Sequence, residues 1–497
     1  MGKTMKAEEI TPRLNHPDQF FINGNWVKPS SPSTIAVYNS TTEQPFIQIA
    51  EAQEADMRLA VDAARQAFDT GPWPKMSPSE RAKYLTAIAA EFDRRSEELA
   101  EIWAVETGTV YATGVAISRG IGDTFRYYAN LAETFTFKEH HKPSNGANYG
   151  LLVREPVGVT GVIIPWNAPG QLIGQKCAPA LLAGCTIVLK GSPEAPCAPY
   201  VMGEICETIG LPPGVVNVLT ADRAVSELLV RDPKIDKITF TGSTAAGRRI
   251  GAICAERVAR CTLELGGKSP AIILDDYDPR LAAEALATRS VFLSGQVCSA
   301  LTRIIVPRKR HDELVEALKD KFEAMKVGDP FDAGTHMGPL ATRTHRDRVE
   351  RYIGIGKSEG ATIATGGSRP SHLNRGFFIE PTVFAHVDNH STIAREEIFG
   401  PVLAVISYDS EVEAIELAND TIYGLNAAVF TNDSDKAYAV ARQLRSGTAG
   451  QNGSRSDFRI AFGGVKQSGI GREGGVEGLL PFLESKTVIL DGAPTAI

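Results

Sequence analysis

Along this chain the apolar positions change rhythm twice. Each rhythm predicts a different kind of structure. Residues 1–19 have no apolar period and predict a loosely docked arm. Phe20-Phe-Ile-Asn-Gly-Asn-Trp-Val27 sets Asn23-Gly24 between two apolar runs, which predicts a hairpin. Met57, Val61, Ala64 and Phe68 then recur at helical spacing. Ser77-Pro-Ser-Glu80 combines a capping box with proline at the first helical position, ahead of Leu85, Ile88 and Phe92 on one face. A third helix ends at Glu106-Thr-Gly108, where glycine suits the C-terminal cap. Residues 124–157 are aromatic and charged, with Pro143-Ser-Asn-Gly inside them. A loop-rich insert with short alternating strands fits them better than a helix.

From Val159 the rhythm becomes short β-branched runs separated by helical stretches. Strands are expected at 159–164, 186–190, 215–219 and 237–241, with helices at 170–182, 198–209 and 225–230. That alternation implies right-handed βαβ units and a parallel sheet, whose ligands bind at the carboxyl ends of the strands. A second alternation follows Gly267. It has strands at 271–274, 302–306, 402–407, 427–430 and 448–451, and helices at 281–293, 312–325, 412–418 and 435–444. It predicts a second α/β domain. Residues 482–490 read as a strand that returns to pair elsewhere.

Composition narrows the class. With 497 residues the chain is long enough for two or three domains with separate cores. A formal net charge of −7 argues against nucleic-acid or membrane partners. No apolar run reaches the roughly 18–20 residues that span a bilayer, and the N-terminus lacks the apolar core of a secretory signal. Met1-Gly2 opens the chain, but Lys6 stands where a myristoylation motif wants serine or threonine. The seven cysteines are odd in number and form no CxxC pair, which predicts a reduced, cytoplasmic protein.

One cysteine stands apart. Cys298 lies among small residues in Gly295-Gln-Val-Cys298-Ser-Ala300, about three dozen residues after Glu264 in Leu263-Glu-Leu-Gly-Gly-Lys268. Alone, such a thiol is more often a buried structural one, and such a carboxylate serves equally to cap a helix or pair with an arginine. Together with Asn167 after a strand, and the turn Thr241-Gly-Ser-Thr before a helix, they supply a nucleophile, a base, an amide donor and a seat for a pyrophosphate. They make one coherent set for nucleophilic catalysis beside a dinucleotide, in which the thiolate is the reactive species. A free thiol has a pKa of about 8.5, so such a site is expected to lower it.

In Ile164-Pro-Trp-Asn167, Phe240-Thr-Gly-Ser-Thr-Ala-Ala-Gly247, Leu263-Glu-Leu-Gly-Gly-Lys268, Gly295-Gln-Val-Cys298, Glu396-Glu-Ile-Phe-Gly-Pro401 and Phe462-Gly-Gly-Val-Lys-Gln-Ser-Gly-Ile-Gly-Arg-Glu473, the chain resembles the aldehyde dehydrogenase superfamily from about Phe20 to Val488. The resemblance implies two Rossmann-like doubly wound α/β domains and a small β oligomerisation arm. It places the NAD(P)-binding domain at 1–123 and 147–262, the catalytic domain at 263–473, and the arm and tail at 124–146 and 474–497. On the residues alone, 124–157 fit an ordinary surface hairpin equally well. Cys298 would attack, Asn167 would hold the oxyanion with the Cys298 N–H, and Glu264 would activate the water that hydrolyses the thioester. Lys176 would favour the thiolate, a solvated surface lysine being the plain alternative. Ile164, Pro165, Trp166, Lys190, Glu194, Thr241, Gly242, Ser243, Leu265, Glu397 and Phe399 would contact the cofactor, NAD, with NADP left open. No metal is implied. Arg472, Glu484 and Lys486 match interface positions and Glu473 a proton-exit route, in a homodimer or homotetramer.

Three departures matter. Lys190-Gly-Ser-Pro-Glu194 displaces by one position the acidic residue expected on the adenosine ribose, so a 2′-phosphate would be repelled less. Ala221-Asp-Arg replaces the usual glycine near the pyrophosphate. Ala168, Leu172 and Gln175 stand where many relatives carry bulky aromatics, which implies a wider, partly polar entrance. Arg455, Asp457, Phe458 and Arg459 form a variable loop that either contacts substrate or is solvated. Two rival readings are an NADP-dependent semialdehyde dehydrogenase and a catalytically retired binding relative.

Overall fold

The computed structural model describes residues 5–495; Met1-Gly2 and the rest of 1–4, with 496–497 of the tail, lie outside the described residues. Two sheets dominate. The first has eight strands in the order Gly469–Ile470, Arg260–Glu264, Lys237–Thr241, Val159–Ile163, Thr186–Gly191, Val216–Thr220, Phe20–Ile22, Asn25–Val27. Its five central strands are parallel and the strands at its edges antiparallel. Val159–Ile163 comes first in the chain among the parallel five yet lies in the middle, so strand order reverses beside it. Ligand crevices open at such switch points. Two of the motifs, Ile164-Pro-Trp-Asn167 and Thr241-Gly-Ser, leave the carboxyl ends of the two strands that flank the reversal.

The second sheet has seven strands in the order Thr362–Thr365, Thr382–Ala385, Val402–Tyr408, Leu301–Pro307, Ser269–Ile273, Asn426–Phe430, Thr448–Gln451. Cys298 precedes Leu301–Pro307 and Gly267 precedes Ser269–Ile273, so the amino edge of this sheet faces the carboxyl edge of the first. The polar site occupies the seam between them. A third sheet pairs Leu483–Leu490 with Tyr149–Pro156, from Leu483↔Pro156 to Leu490↔Tyr149, and Tyr149–Pro156 with Lys138–His141.

Residues 124–134 depart from expectation: they complete a helix, Tyr111–Thr134, and the predicted strands begin only at Lys138. Ile121, Phe125 and Tyr128 are buried at helical spacing, and Phe125 stacks on Phe92 at 5.4 Å. Glycine weakens an isolated helix, and Gly114, Gly120 and Gly122 mask this one in the sequence. The packing requires the last of them. A Cβ on Gly122 would stand 2.8 Å from the Ala89 carbonyl of the neighbouring helix Pro78–Arg94. The N-terminal arm, expected to be loose, is docked where it is described. Ala7 is fully buried, its carbonyl accepts from Asn39 Nδ2 at 2.9 Å, and the Asn15 N–H donates to Glu204 at 2.7 Å. The helix Arg343–Ser358, with seven charged residues among its sixteen, has no counterpart among the expected elements; it buries Val349, Tyr352 and Ile353 against the second sheet.

Candidate active site

The helix Pro279–Ser290 stops short of the expected residue 293, and the chain turns through three consecutive left-handed residues. These are Leu293 (φ 49°), Ser294 (φ 55°) and Gly295 (φ 74°). Left-handed non-glycine residues cost roughly 1–2 kcal/mol each, so surrounding bonds must hold them. Ser294 Oγ donates to the Gly338 carbonyl at 3.0 Å. Gln296, 1% exposed, donates through Nε2 to the carbonyls of Leu293 (3.0 Å) and Thr107 (3.3 Å), and its Oε1 accepts the Ala341 N–H at 2.9 Å. A Cβ on Gly295 would lie 2.4 Å from the Gly400 backbone, so neither conformation nor space admits another residue there. The turn delivers Cys298 to the seam.

The Cys298 thiol meets its own backbone N–H and that of Ser299, which lower its pKa. Burial outweighs them. With Glu397 and Glu264 nearby adding negative charge, the thiol is pushed up to about 12, opposite to the lowering expected. Alkylation of the cofactor-free protein should reveal this. The rate of iodoacetamide capture at Cys298, followed by peptide mass spectrometry, should rise about tenfold per pH unit from 7 to 9, because only the thiolate reacts. A plateau below pH 9 would mean that a nearby cation stabilises the thiolate after all.

Asn167 leaves the strand Val159–Ile163 through Pro165-Trp166. Its Nδ2 donates to the Gln296 carbonyl at 3.0 Å, two residues from Cys298. A primary amide has two N–H donors, so one remains for an incoming oxygen. The Asn167 carbonyl accepts from Trp103 Nε1 at 2.9 Å. Neither Gln296 nor Trp103 stands out among the sequence candidates. Gln296 lies inside the Gly295–Cys298 motif, and its polar contacts hold the turn that carries the thiol.

Glu264 ends the strand Arg260–Glu264. It is 3% exposed, and neither carboxylate oxygen has a hydrogen-bond partner. Burial and the Glu473 carboxylate push its pKa well above the ordinary range, against the pull of Lys176 and Arg472. Gly463 lets the chain pass: a Cβ there would lie 2.6 Å from Glu264 Oε1. Lys176 is 1% exposed, which removes the solvated-lysine alternative. It forms an ion pair with Glu473 and reaches Thr239 Oγ1 at 3.3 Å.

The remaining residues gather in the crevice between the sheets. Ser243 caps the helix Thr244–Glu256 by accepting the Ala246 N–H at 3.3 Å, and Thr241-Gly242 lead into this helix start. A cavity of about 460 Å³ lies beside it, lined by Ile163, Lys190, Glu194, Arg223, Ser243 and Phe240 among others. Burial lowers Lys190 to about 8 against the attraction of Glu194 and Asp222. The displaced Glu194 carboxylate is engaged by the Ser192 hydroxyl. Ile164 is buried, its N–H 3.3 Å from the Lys190 carbonyl. Leu265 packs so closely on the helix that a Cβ on Gly247 would come within 2.3 Å of its side chain. On the far side, Glu397 Oε1 accepts the Gly267 N–H at 3.0 Å, and burial raises its carboxyl to about 7. A Cβ on Gly267 would stand 2.4 Å from the Cys298 carbonyl and one on Gly266 2.3 Å from Glu397 Oε2, so the backbone contact at Gly267 is the stricter of the two. Trp166 and Phe399 meet edge to face at 5.5 Å. His345, absent from the sequence candidates, completes the aromatic group, its ring 5.1 Å from Trp166 and its Nε2 2.6 Å from the Phe399 carbonyl. A helix N-terminus, a buried lysine by a roomy cavity, and an aromatic and carboxylate pair fit a dinucleotide spanning the crevice.

The interface candidates have partners within the chain: Glu484 pairs with Arg260 at 2.7 Å, Lys486 with Glu155, and Arg472 donates to the carbonyls of Gly464 and Gly471. Among the described residues no helix is long and apolar enough to cross a membrane.

Comparison with known proteins places this arrangement. A sequence profile of the aldehyde dehydrogenase family matches residues 26–488. Geranial dehydrogenase of Castellaniella defragrans is 43% identical over 473 residues, covering 95% of this chain and 98% of that one. Chloroplastic betaine aldehyde dehydrogenase of Beta vulgaris is 39% identical over 481 residues, covering 95% and 96%. The structure superposes with a TM-score of 0.93 on a Mycobacterium tuberculosis aldehyde dehydrogenase complexed with NAD+, at 44% identity over 97% of this chain and 99% of that one. A Staphylococcus aureus betaine aldehyde dehydrogenase in complex with NAD+ gives 0.94 at 37% identity, covering 97% and 96%. With nearly its whole length so matched and a thiol, an amide and a buried carboxylate gathered beside a dinucleotide crevice, the chain belongs to the aldehyde dehydrogenase family and is an NAD(P)-dependent oxidoreductase that converts aldehydes to carboxylic acids.

Proposed function

We propose that Cys298, having lost its thiol proton to solvent, attacks the aldehyde carbon as the thiolate while the free Asn167 N–H and the Cys298 backbone N–H receive the developing oxyanion. The thiohemiacetal so formed is the sp3 centre that hydride departure requires; a nicotinamide cofactor, when bound, would supply the hydride acceptor. Glu264 then takes a proton from the water that attacks the thioester, and the thiol is released with the acid. The observation that carries this reading is the Glu264 carboxylate, buried with both oxygens unpartnered and close enough to raise the Cys298 pKa. Buried polar groups are almost always paired, and water held between Glu264 and the acyl carbon would pair this one. Lys176 tunes the Glu473–Glu264 pair instead of the thiol. Glu397, Phe399 and Trp166 grip the nicotinamide end of the cofactor. Lys190 and the Thr241-Gly242-Ser243 turn hold the adenosine and phosphate end.

The substrate we infer is an aldehyde with an uncharged, apolar chain. Trp103, Ala168 and Leu293 pack together with Ile117, Phe292 and Val297, directly before the nucleophile. Leu172 belongs to the core cluster and Gln175 is 5% exposed, so neither makes the entrance polar. The charge near this wall is positive: Arg289 stacks on Phe292 at 4.8 Å and feels Arg455. Such a wall suits a chain of the kind geranial has better than the cation of betaine aldehyde. The eight-stranded sheet serves as the cofactor half and the seven-stranded sheet as the catalytic half. The arm formed by Lys138–His141, Tyr149–Pro156 and Leu483–Leu490 joins subunits in a cytoplasmic homodimer or homotetramer. Absorbance at 340 nm, read across aliphatic, aromatic, ω-carboxylated and ω-amino aldehydes with NAD and NADP in parallel, tests the assignment. The apolar aldehydes should give the highest kcat/KM, by at least tenfold over the ω-amino series. A preference for the ω-amino aldehydes would refute the apolar wall, and silence with cofactor bound would refute catalysis.

A further inference from the structure

We propose that Trp103 is a positioning residue for the oxyanion amide, acting on the reaction through Asn167; this rests on the role given to Asn167 above. Trp103 lies in the last turn of the helix Ser96–Thr107 and is 6% exposed. Its indole N–H donates to the Asn167 carbonyl at 2.9 Å. That carbonyl precedes the helix Pro169–Ala183, whose first backbone bond uses the Ala168 carbonyl, so no helical donor reaches it. The indole is the donor that holds it.

The bond belongs to a closed circuit. The Asn167 amide donates to the Gln296 carbonyl, the Gln296 amide donates to the Thr107 carbonyl, and Thr107 Oγ1 returns to the Trp103 carbonyl at 2.9 Å. One helical turn, Trp103 to Thr107, thus grips both loops that present oxyanion donors, the one at Asn167 and the one ending in Cys298. Gly108 lets this turn seat closely, with φ 77° and a hypothetical Cβ 2.1 Å from the Pro339 carbonyl. Donors that stabilise a transition state must be held in place before the charge develops. Packing of the Trp103 ring against Ala168 and Leu293 locks the indole in the orientation its bond needs.

The test is a double-mutant cycle on the pre-steady-state burst of reduced cofactor, with a two-carbon aldehyde too short to lean on the apolar wall. Asn167→Ala should slow the burst about 10²-fold. Trp103→Phe, which keeps a ring and loses the donor, should slow it about tenfold while cofactor affinity stays within twofold. In the Asn167→Ala background the same change should cost less than twofold, because its route to the reaction is already gone. An equal loss in both backgrounds, or no loss in the first, would overturn the inference and leave the Asn167 role standing. An unchanged burst in Asn167→Ala would overturn the role itself and the inference with it. Trp103→Leu provides the same comparison if the phenylalanine variant does not fold.

Discussion

Cys298→Ala should lower steady-state turnover by at least roughly 10⁴-fold, while the cofactor binds within about twofold of the original affinity. Without the sulfur the aldehyde carbon stays trigonal and its hydrogen has no route out as hydride. Neither the Asn167 amide nor the Glu264 carboxylate replaces a covalent adduct. The protein should fold normally, because the turn that carries Cys298 is held by Ser294, Gln296 and the close approach at Gly295, none of which uses the thiol. Turnover at 340 nm and a fluorescence titration with NAD+ separate the two effects. Residual turnover within tenfold of the original would mean that water, not sulfur, forms the adduct.

Glu264→Gln should separate the two halves of the reaction. About one equivalent of reduced cofactor per site should appear in a rapid burst, followed by a steady state roughly 10²–10⁴-fold slower, the span that general-base catalysis typically contributes. The pH profile carries a second signature. Burial and Glu473 hold the Glu264 carboxyl well above the ordinary carboxylate range. A protonated carboxyl accepts no proton from water, so deacylation is lost as pH falls below that raised pKa and recovered as pH rises through it. The alkaline rise of kcat should therefore disappear in Glu264→Gln. Stopped-flow absorbance between pH 6 and 9 records both features. Absence of the burst would put the carboxylate before hydride transfer and reverse the assigned order.

The cycle at Trp103, the alkylation profile of Cys298 and the aldehyde panel examine the parts around these two residues. They divide the site into attack, oxyanion support and substrate wall, and each part has its own readout.

Short-range signals in the sequence were enough for the turns and helix caps. Asn23 and Gly24 take φ of 53° and 76°, as the turn type implied by Asn-Gly requires. Ser77 and Glu80 exchange both bonds of the capping box, at 3.2 Å and 2.7 Å. Gly108 caps its helix in the left-handed region. These features depend on neighbours within a few residues, so residue type and spacing decide them. The chemistry was legible for the same reason: each motif is a strand end, a turn or a helix start with its reactive side chain in a fixed local place.

What each charge and amide meets depends on packing between distant segments. Lys176 read either as a helper of the thiolate or as a surface lysine, and it lies buried against Glu473, 297 residues away. Trp103 and Asn167 are 64 residues apart, Gln296 and Thr107 are 189 apart, and no spacing in the chain announces either bond. The glycines of Tyr111–Thr134 weaken a helix judged by propensity and permit it once another helix lies 2.8 Å from where a Cβ would be. The sequence by itself determined the family, the caps and most of the strands that carry its motifs, because those are local chemistry. Only the tertiary structure decided that a thiol expected to be acidic is pushed up to about 12, since burial and neighbouring carboxylates are properties of the packed seam and not of the motif that carries the cysteine.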